Sequence, residues 1–139
     1  MKTQFLFSLL IAITTFTSSC DPAAGIDSTT SQVVTSGSWR VTLFTDSGND
    51  ETSDFAGYTF TFVSGGVLSV VKNGIATTGT WSVSSSSNKF NINLGPKVDS
   101  NKPLGELTDD WKIISSTETV IRLTDDNASS NEFLTFTKN

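Results

Sequence analysis

The chain has no histidine, one cysteine, one methionine, one tyrosine and three prolines in 139 residues. Each shortage closes a class of function. Without histidine there is no Ser-His-Asp or Cys-His catalytic set and no imidazole to ligate zinc. The single cysteine, Cys20, allows neither an intrachain disulfide nor a multi-cysteine metal site. Basic residues are also few, nine Lys plus Arg against fourteen Asp plus Glu, for a formal charge of -5. Sequence-independent nucleic-acid binding relies on Lys and Arg and is not expected. Long apolar runs are missing as well. The nine-residue run from Phe5 to Ile13 falls far short of the ~20 apolar residues that span a bilayer.

What is present begins with an address. Met1 and Lys2 give a positive start, the run from Phe5 to Ile13 has the length of a signal-peptide core, and Thr17-Ser18-Ser19 leads into Cys20. A lone cysteine directly after such a core resembles the lipobox of bacterial lipoproteins, with Thr17 where that family usually has Leu. The resemblance implies that residues 1–19 are a cleaved signal peptide and that the Cys20 thiol carries diacylglycerol. It also implies an extracytoplasmic domain anchored to a bacterial membrane, expected to be the outer membrane. The alternative is an ordinary secretory signal with a free cysteine beside the cut. Cleavage before Cys20 removes Lys2 and no acidic residue, so the charge becomes -6. Residues 20–36 read as a lipidated tether, because Asp21 to Gly37 is Ser/Thr-rich without a sustained apolar pattern. Fully extended, such a segment reaches at most ~60 Å. Gln32-Val33-Val34 offers the alternative of a strand added to a sheet edge. Asp27-Ser28-Thr29 resembles the three-residue O-glycosylation sequon of exported Bacteroidota proteins.

Residues 37–139 form the body, and their hydropathy alternates with period two. Eight strands are expected: Trp39 to Thr45, Tyr58 to Val63, Val67 to Val71, Gly79 to Ser84, Lys89 to Leu94, Trp111 to Ser115, Thr119 to Thr124 and Glu132 to Thr137. In the first, Trp39, Val41 and Leu43 fall on one face. Ser64-Gly65-Gly66, Asn73-Gly74 and Ser85 to Asn88 supply turns. Two connections are long, Asp46 to Gly57 and Gly95 to Asp110, the second with one helical turn expected near Pro103 to Leu107. Ser and Thr make up 42 of the 139 residues, which solvates outer strand faces without adding charge. Sequential antiparallel strands on short turns favour an all-β fold, an eight-stranded antiparallel up-and-down barrel that leaves no sheet edge exposed.

Gly37-Ser38-Trp39 at the first strand resembles the Gly-x-Trp opening of lipocalin barrels. In that family a long first loop folds over the barrel mouth, the place of Asp46 to Gly57 here. An arginine on a late strand also packs across the tryptophan, and Arg122 is the matching position. The ordered set Tyr58-Thr59-Phe60-Thr61-Phe62, Gly79-Thr80-Trp81, Trp111-Lys112-Ile113 and Leu134-Thr135-Phe136 is similar to the small lipocalin-like lipoproteins of Bacteroidota. With that resemblance, Trp39 and Arg122 become barrel-closing residues. Tyr58, Phe60, Phe62, Trp81, Phe90, Ile92 and Trp111 become candidates to line a cavity for a small apolar ligand. The same side chains could equally fill a solid core, since eight-stranded barrels do either.

The acidic residues fall in loops. Asp46-Ser47-Gly48-Asn49-Asp50 lacks the ligand frame of a calcium loop, and no carboxylate pair shows a sign of burial, so no metal, cofactor or catalytic residue is assigned. The expectation is a monomeric, non-enzymatic, membrane-anchored binding protein for a small apolar ligand. The alternative is a protein-interaction or structural surface module whose barrel is filled by its own side chains.

Overall fold

The computed structural model describes residues 26–139, and for 26–29 the backbone only. The signal peptide, Cys20 and the first residues of the tether lie outside the described residues. A helix, α1 (Ile26–Thr35), precedes nine strands: β1 (Ser38–Asp46), β2 (Asn49–Asp50), β3 (Thr59–Val63), β4 (Val67–Lys72), β5 (Ile75–Ser84), β6 (Lys89–Asn93), β7 (Asp109–Ser116), β8 (Val120–Thr124) and β9 (Phe133–Lys138). β1 and β3 to β9 are antiparallel neighbours in chain order, and β9 returns to pair with β1 from Trp39 opposite Lys138 to Thr45 opposite Phe133. The result is a closed eight-stranded up-and-down barrel. β2 is an extra two-residue ribbon folded back on the end of β1.

Alternation sets which side chains point inward. Phe60 and Phe62 of β3, Leu68 and Val70 of β4, Phe90 and Ile92 of β6, and Ile121 and Leu123 of β8 are all buried, with exposed or half-buried residues between them. β1 departs from the expected alternation. Its pairing with β9 shifts between Val41 and Leu43, and this bulge sends Leu43 outward at 37% exposure and Phe44 inward at 1%. β5 starts at Ile75, four residues before the expected Gly79, because the Asn73-Gly74 turn delivers the chain directly into the ladder with β4. Both turn residues have positive φ, 52° and 78°, the geometry of a tight hairpin. Gly79 has a different reason to be glycine. A Cβ there would stand 2.2 Å from the Asn93 carbonyl oxygen, so β5 and β6 could not approach as they do.

Both ends of the barrel are closed. The β3–β4, β5–β6 and β7–β8 turns open at the end where β1 begins, and α1 covers that end with Val34 fully buried and Thr30 at 3% exposure. The tether reading is therefore corrected for 26–35. Ser and Thr are tolerated in a helix when a tertiary contact holds it, and here Thr30 and Val34, four residues apart on one face, pack onto the barrel. The opposite end, the loop end, is plugged by two 3-10 turns. Thr52–Phe55 buries Phe55, and Leu104–Leu107 buries Leu104 and Leu107.

Candidate functional site

The residues expected to line a cavity are brought together, and they fill the barrel. Phe62 sits at the centre. Its ring meets those of Trp81, Phe90 and Phe136 edge to face, at centroid distances of 5.6, 5.4 and 5.5 Å. Phe60 meets Phe136 at 5.3 Å, and Trp81 stacks on Phe90 at 5.9 Å. Towards the loop end Phe44 contacts Phe55 at 5.1 Å and Trp111 at 6.5 Å. Ile92 is buried among them at 2% exposure. Tyr58 is half-buried at the rim, its ring under the Lys72 ammonium at 4.3 Å. Rings at these separations are in van der Waals contact and leave no ligand-sized space between them.

Each tryptophan also spends its polar edge on the backbone. The Trp39 indole N–H donates to the Val34 carbonyl at 2.8 Å, that of Trp81 to the Val63 carbonyl at 2.9 Å, and that of Trp111 to the Leu107 carbonyl at 2.9 Å. Three of the chain's connections, α1, the β3–β4 turn and the Leu104–Leu107 turn, are thereby fastened to the core. A tryptophan so committed has no N–H left for a ligand.

Arg122 is not the partner of Trp39. It lies between inward-facing Ile121 and Leu123, so strand parity turns it outward, and it is exposed. The cation near the Trp39 ring is instead Lys138, with Nζ 5.9 Å from the centroid. That ammonium also donates to Ser36 Oγ at 2.9 Å. No sequence motif marks Lys138, because the contact depends on where β9 ends relative to β1.

Clefts open around the solid core, among them one at α1 and one at the loop end. One is a cleft of about 560 Å³ beside α1, lined by Ser31, Gln32 and Thr35 of the helix and by Ser64 to Gly66 and Trp81 to Val83 of the barrel. The other, about 280 Å³, lies at the loop end and is lined by Phe44, Asp46, Lys97, Lys102, Glu106 and Glu132 among others.

The loop end carries most of the acidic charge. Asp46, Glu51 and Glu106 place carboxylate oxygens within 4.8 Å of one another. Desolvation, followed by the negative charges of Glu106 and Asp46, holds the Glu51 pKa above the ordinary value. Glu132 is raised as well, first by desolvation and then by Asp46 and Asp125, against the attraction of Lys97. Lys102 compensates part of this crowding at 3.0 Å from Glu106. An all-oxygen set of this kind suits a hard cation, but the Lys102 ammonium already serves Glu106. On the barrel wall Lys89 bridges Asp110, at 3.1 Å, and Asp126, and Lys97 pairs with Asp109 at 2.6 Å. Among the described residues no nucleophile stands beside a general base in either opening.

No family model and no curated protein matches the chain. Its structure is similar to the crystal structure of a DUF4847 family protein from Bacteroides vulgatus ATCC 8482, with a TM-score of 0.57 and 17% identity over 78% of this chain and 96% of that one. The solution structure of a protein from Burkholderia xenovorans gives a TM-score of 0.49 at 17% identity, covering 99% and 98% of the two chains. At 17% identity the likeness to the Bacteroides vulgatus protein is one of fold.

Proposed function

We propose that the chain is a lipid-anchored, extracytoplasmic and non-enzymatic module that presents the outer surface of a solid barrel to another macromolecule. The observation that carries this reading is the filled interior, in which Phe62 touches three rings at 5.4 to 5.6 Å and both mouths are stoppered by buried side chains, Val34 at one and Phe55 at the other. A container for an apolar ligand would need those rings to part. The anchor rests on the lipobox pattern before Cys20 and on nothing in the barrel. Closure of β9 onto β1 leaves neither with a free pairing edge, which fits a monomer.

The lipocalin-like resemblance supports the second reading, a small apolar ligand, and the open cleft beside Trp81 is where one could sit at the rim. One experiment separates the two. The Cys20→Ala protein, expressed without residues 1–19, is extracted with organic solvent and assayed by mass spectrometry, then titrated with fatty acids while tryptophan fluorescence is followed. We expect an empty extract and unchanged emission. A stoichiometric lipid in the extract, or saturable quenching, would overturn the solid-barrel reading in favour of the container.

A further inference from the structure

We infer that the α1 end of the barrel is the surface that faces the lipid bilayer, held there by a short tether. This rests on the proposed anchoring through Cys20. Because α1 begins at Ile26 and packs onto the barrel through Thr30 and Val34, only five residues, Asp21 to Gly25, separate the acylated cysteine from the folded domain. Five residues reach ~20 Å when fully stretched, against ~60 Å for the whole segment to Gly37. Barrel strands of five to ten residues are themselves roughly 17 to 34 Å long. A stretched tether of ~20 Å falls within the length of the barrel itself, which favours contact through the α1 end while α1 stays docked.

Charge gives the same orientation independently. Twelve acidic side chains lie beyond Thr30, and eleven of them sit in the loop-end connections or the strand ends that adjoin them. Asp46, Asp50, Glu51 and Asp54 belong to the β1–β3 connection. Asp99, Glu106, Asp109 and Asp110 run from the β6–β7 connection into β7, and Asp125, Asp126 and Glu132 lie between β8 and β9. The α1 end has Glu118 in the β7–β8 turn, Asp27 in α1 and Asp21 in the segment before it. It also has two cations that form no ion pair among the described residues. Arg40 donates to the Lys138 carbonyl and to Asn139 Oδ1 at 3.2 and 3.3 Å, and Lys138 donates to Ser36. A bilayer bearing anionic lipid repels the loop end, with its eleven carboxylates, more strongly than the α1 end. The α1-end turns are short and made of small or hydroxyl residues, Ser64-Gly65-Gly66 and Ser85-Ser86-Ser87, so α1 is the bulkiest element on that face.

The test uses the chain from Cys20 to its C-terminus. Cys20, its only thiol, is coupled through maleimide-lipid to nanodiscs that also carry a gadolinium-chelating lipid, and amide line broadening is read by NMR. Broadening falls with the sixth power of distance. Several-fold stronger broadening is expected at Ser64 to Gly66 and Thr117 to Thr119 than at Ser47 to Asp50. Insertion of about fifteen Gly/Ser residues after Gly25, a flexible spacer, should remove the bias on zwitterionic discs while leaving the amide spectrum of the barrel unchanged. Equal broadening at both ends in the native-length chain would overturn the orientation, and a bias that survives the spacer would overturn the tether as its cause. Acylation is read separately, by metabolic labelling of the full chain and its Cys20→Ala variant with a tagged fatty acid. Absence of label from the native chain would overturn the anchor and, with it, the orientation in cells.

Discussion

The indole N–H of Trp39 donates to the carbonyl oxygen of Val34 at 2.8 Å, and both residues are fully buried. This bond joins the first residues of the barrel to the last turn of α1, where helix carbonyls have no partner of their own. It makes the helix part of the domain. Trp39→Phe keeps most of the ring's packing and leaves the Val34 carbonyl without its donor. A buried carbonyl left unpaired costs about 1 to 3 kcal/mol. We expect a loss of that size in urea unfolding, with amide exchange in α1 accelerated more than exchange in β4 or β8. Equal acceleration throughout would mean that the bond does not hold the helix in particular.

Phe62 is the residue on which the solid interior depends, since its ring touches Trp81, Phe90 and Phe136. Phe62→Ala should destabilise the barrel by about 3 to 5 kcal/mol, the usual cost of a buried Phe truncation. Thr78→Ala on the outer face of the neighbouring strands should cost less than about 1 kcal/mol. If the truncated protein still folds, it gains an apolar void and should bind benzene or xenon, as dry engineered cavities do. The native protein should bind neither, which NMR shift perturbation would check.

The strands were legible because period two records a half-buried sheet. Tyr58 to Val63 and Lys89 to Leu94 could hardly be read otherwise, and all eight expected strands exist. The helix was not legible. Ile26–Thr35 has the composition of a linker, and its stability comes from Val34 and Trp39, a tertiary contact that no local pattern records. The bulge at Val41 was hidden for the same reason, since alternation through Leu43 looked unbroken while the ladder with β9 required a shift. At the candidate site, alternation indicates that Phe60, Phe62, Trp81, Phe90 and Trp111 point inward, but not that Tyr58 stays at the rim, that Phe44 and Phe55 join them, or whether the rings touch. Ring-to-ring distance depends on barrel tilt and shear, and those are properties of the closed sheet. Arg122 matches the lipocalin arginine by its place on a late strand, yet its position between Ile121 and Leu123 directs it outward.

Gly79 and Gly37 make a contrast in what a single methyl group meets. At Gly79 the added Cβ would stand 2.2 Å from a backbone oxygen, that of Asn93, in the β5–β6 ladder. Backbone cannot step aside without parting the strands, so Gly79→Ala should destabilise by about 1 to 3 kcal/mol or more, as overpacking does. At Gly37 the nearest atom is Lys138 Cε at 2.8 Å, the far end of a flexible side chain. Gly37→Ala should therefore cost well under 1 kcal/mol on the scale of ordinary surface substitutions. Thermal unfolding of the two variants side by side would check the order, and a larger loss for Gly37→Ala would contradict it.

The acidic loop end predicts a pH dependence with a definite sign. Burial and neighbouring carboxylates raise the folded-state pKa of Glu51 and of Glu132 above the ordinary 4.5. The folded protein then holds these protons more tightly than the unfolded chain, so stability falls as pH rises from 4.5 through the raised values, and the penalty is complete above them. Asp50 and Asp110 act in the opposite sense. A hydrogen bond from Thr52 lowers the Asp50 pKa and one from Lys89 lowers that of Asp110, both from 3.8. Their stabilisation is present above 3.8 and is lost as pH falls through the lowered values. Stability should therefore pass through a maximum on the acid side of neutrality, near the junction of the two windows. Glu51→Gln and Glu132→Gln remove the carboxylates that carry the penalty, so both variants should be more stable than the native chain at pH 7, and their advantage should vanish below pH 4.5. Urea unfolding of the three proteins from pH 3 to pH 8 measures this directly. Variants less stable than the native chain at pH 7 would show that these carboxylates make favourable contacts outweighing their desolvation and crowding.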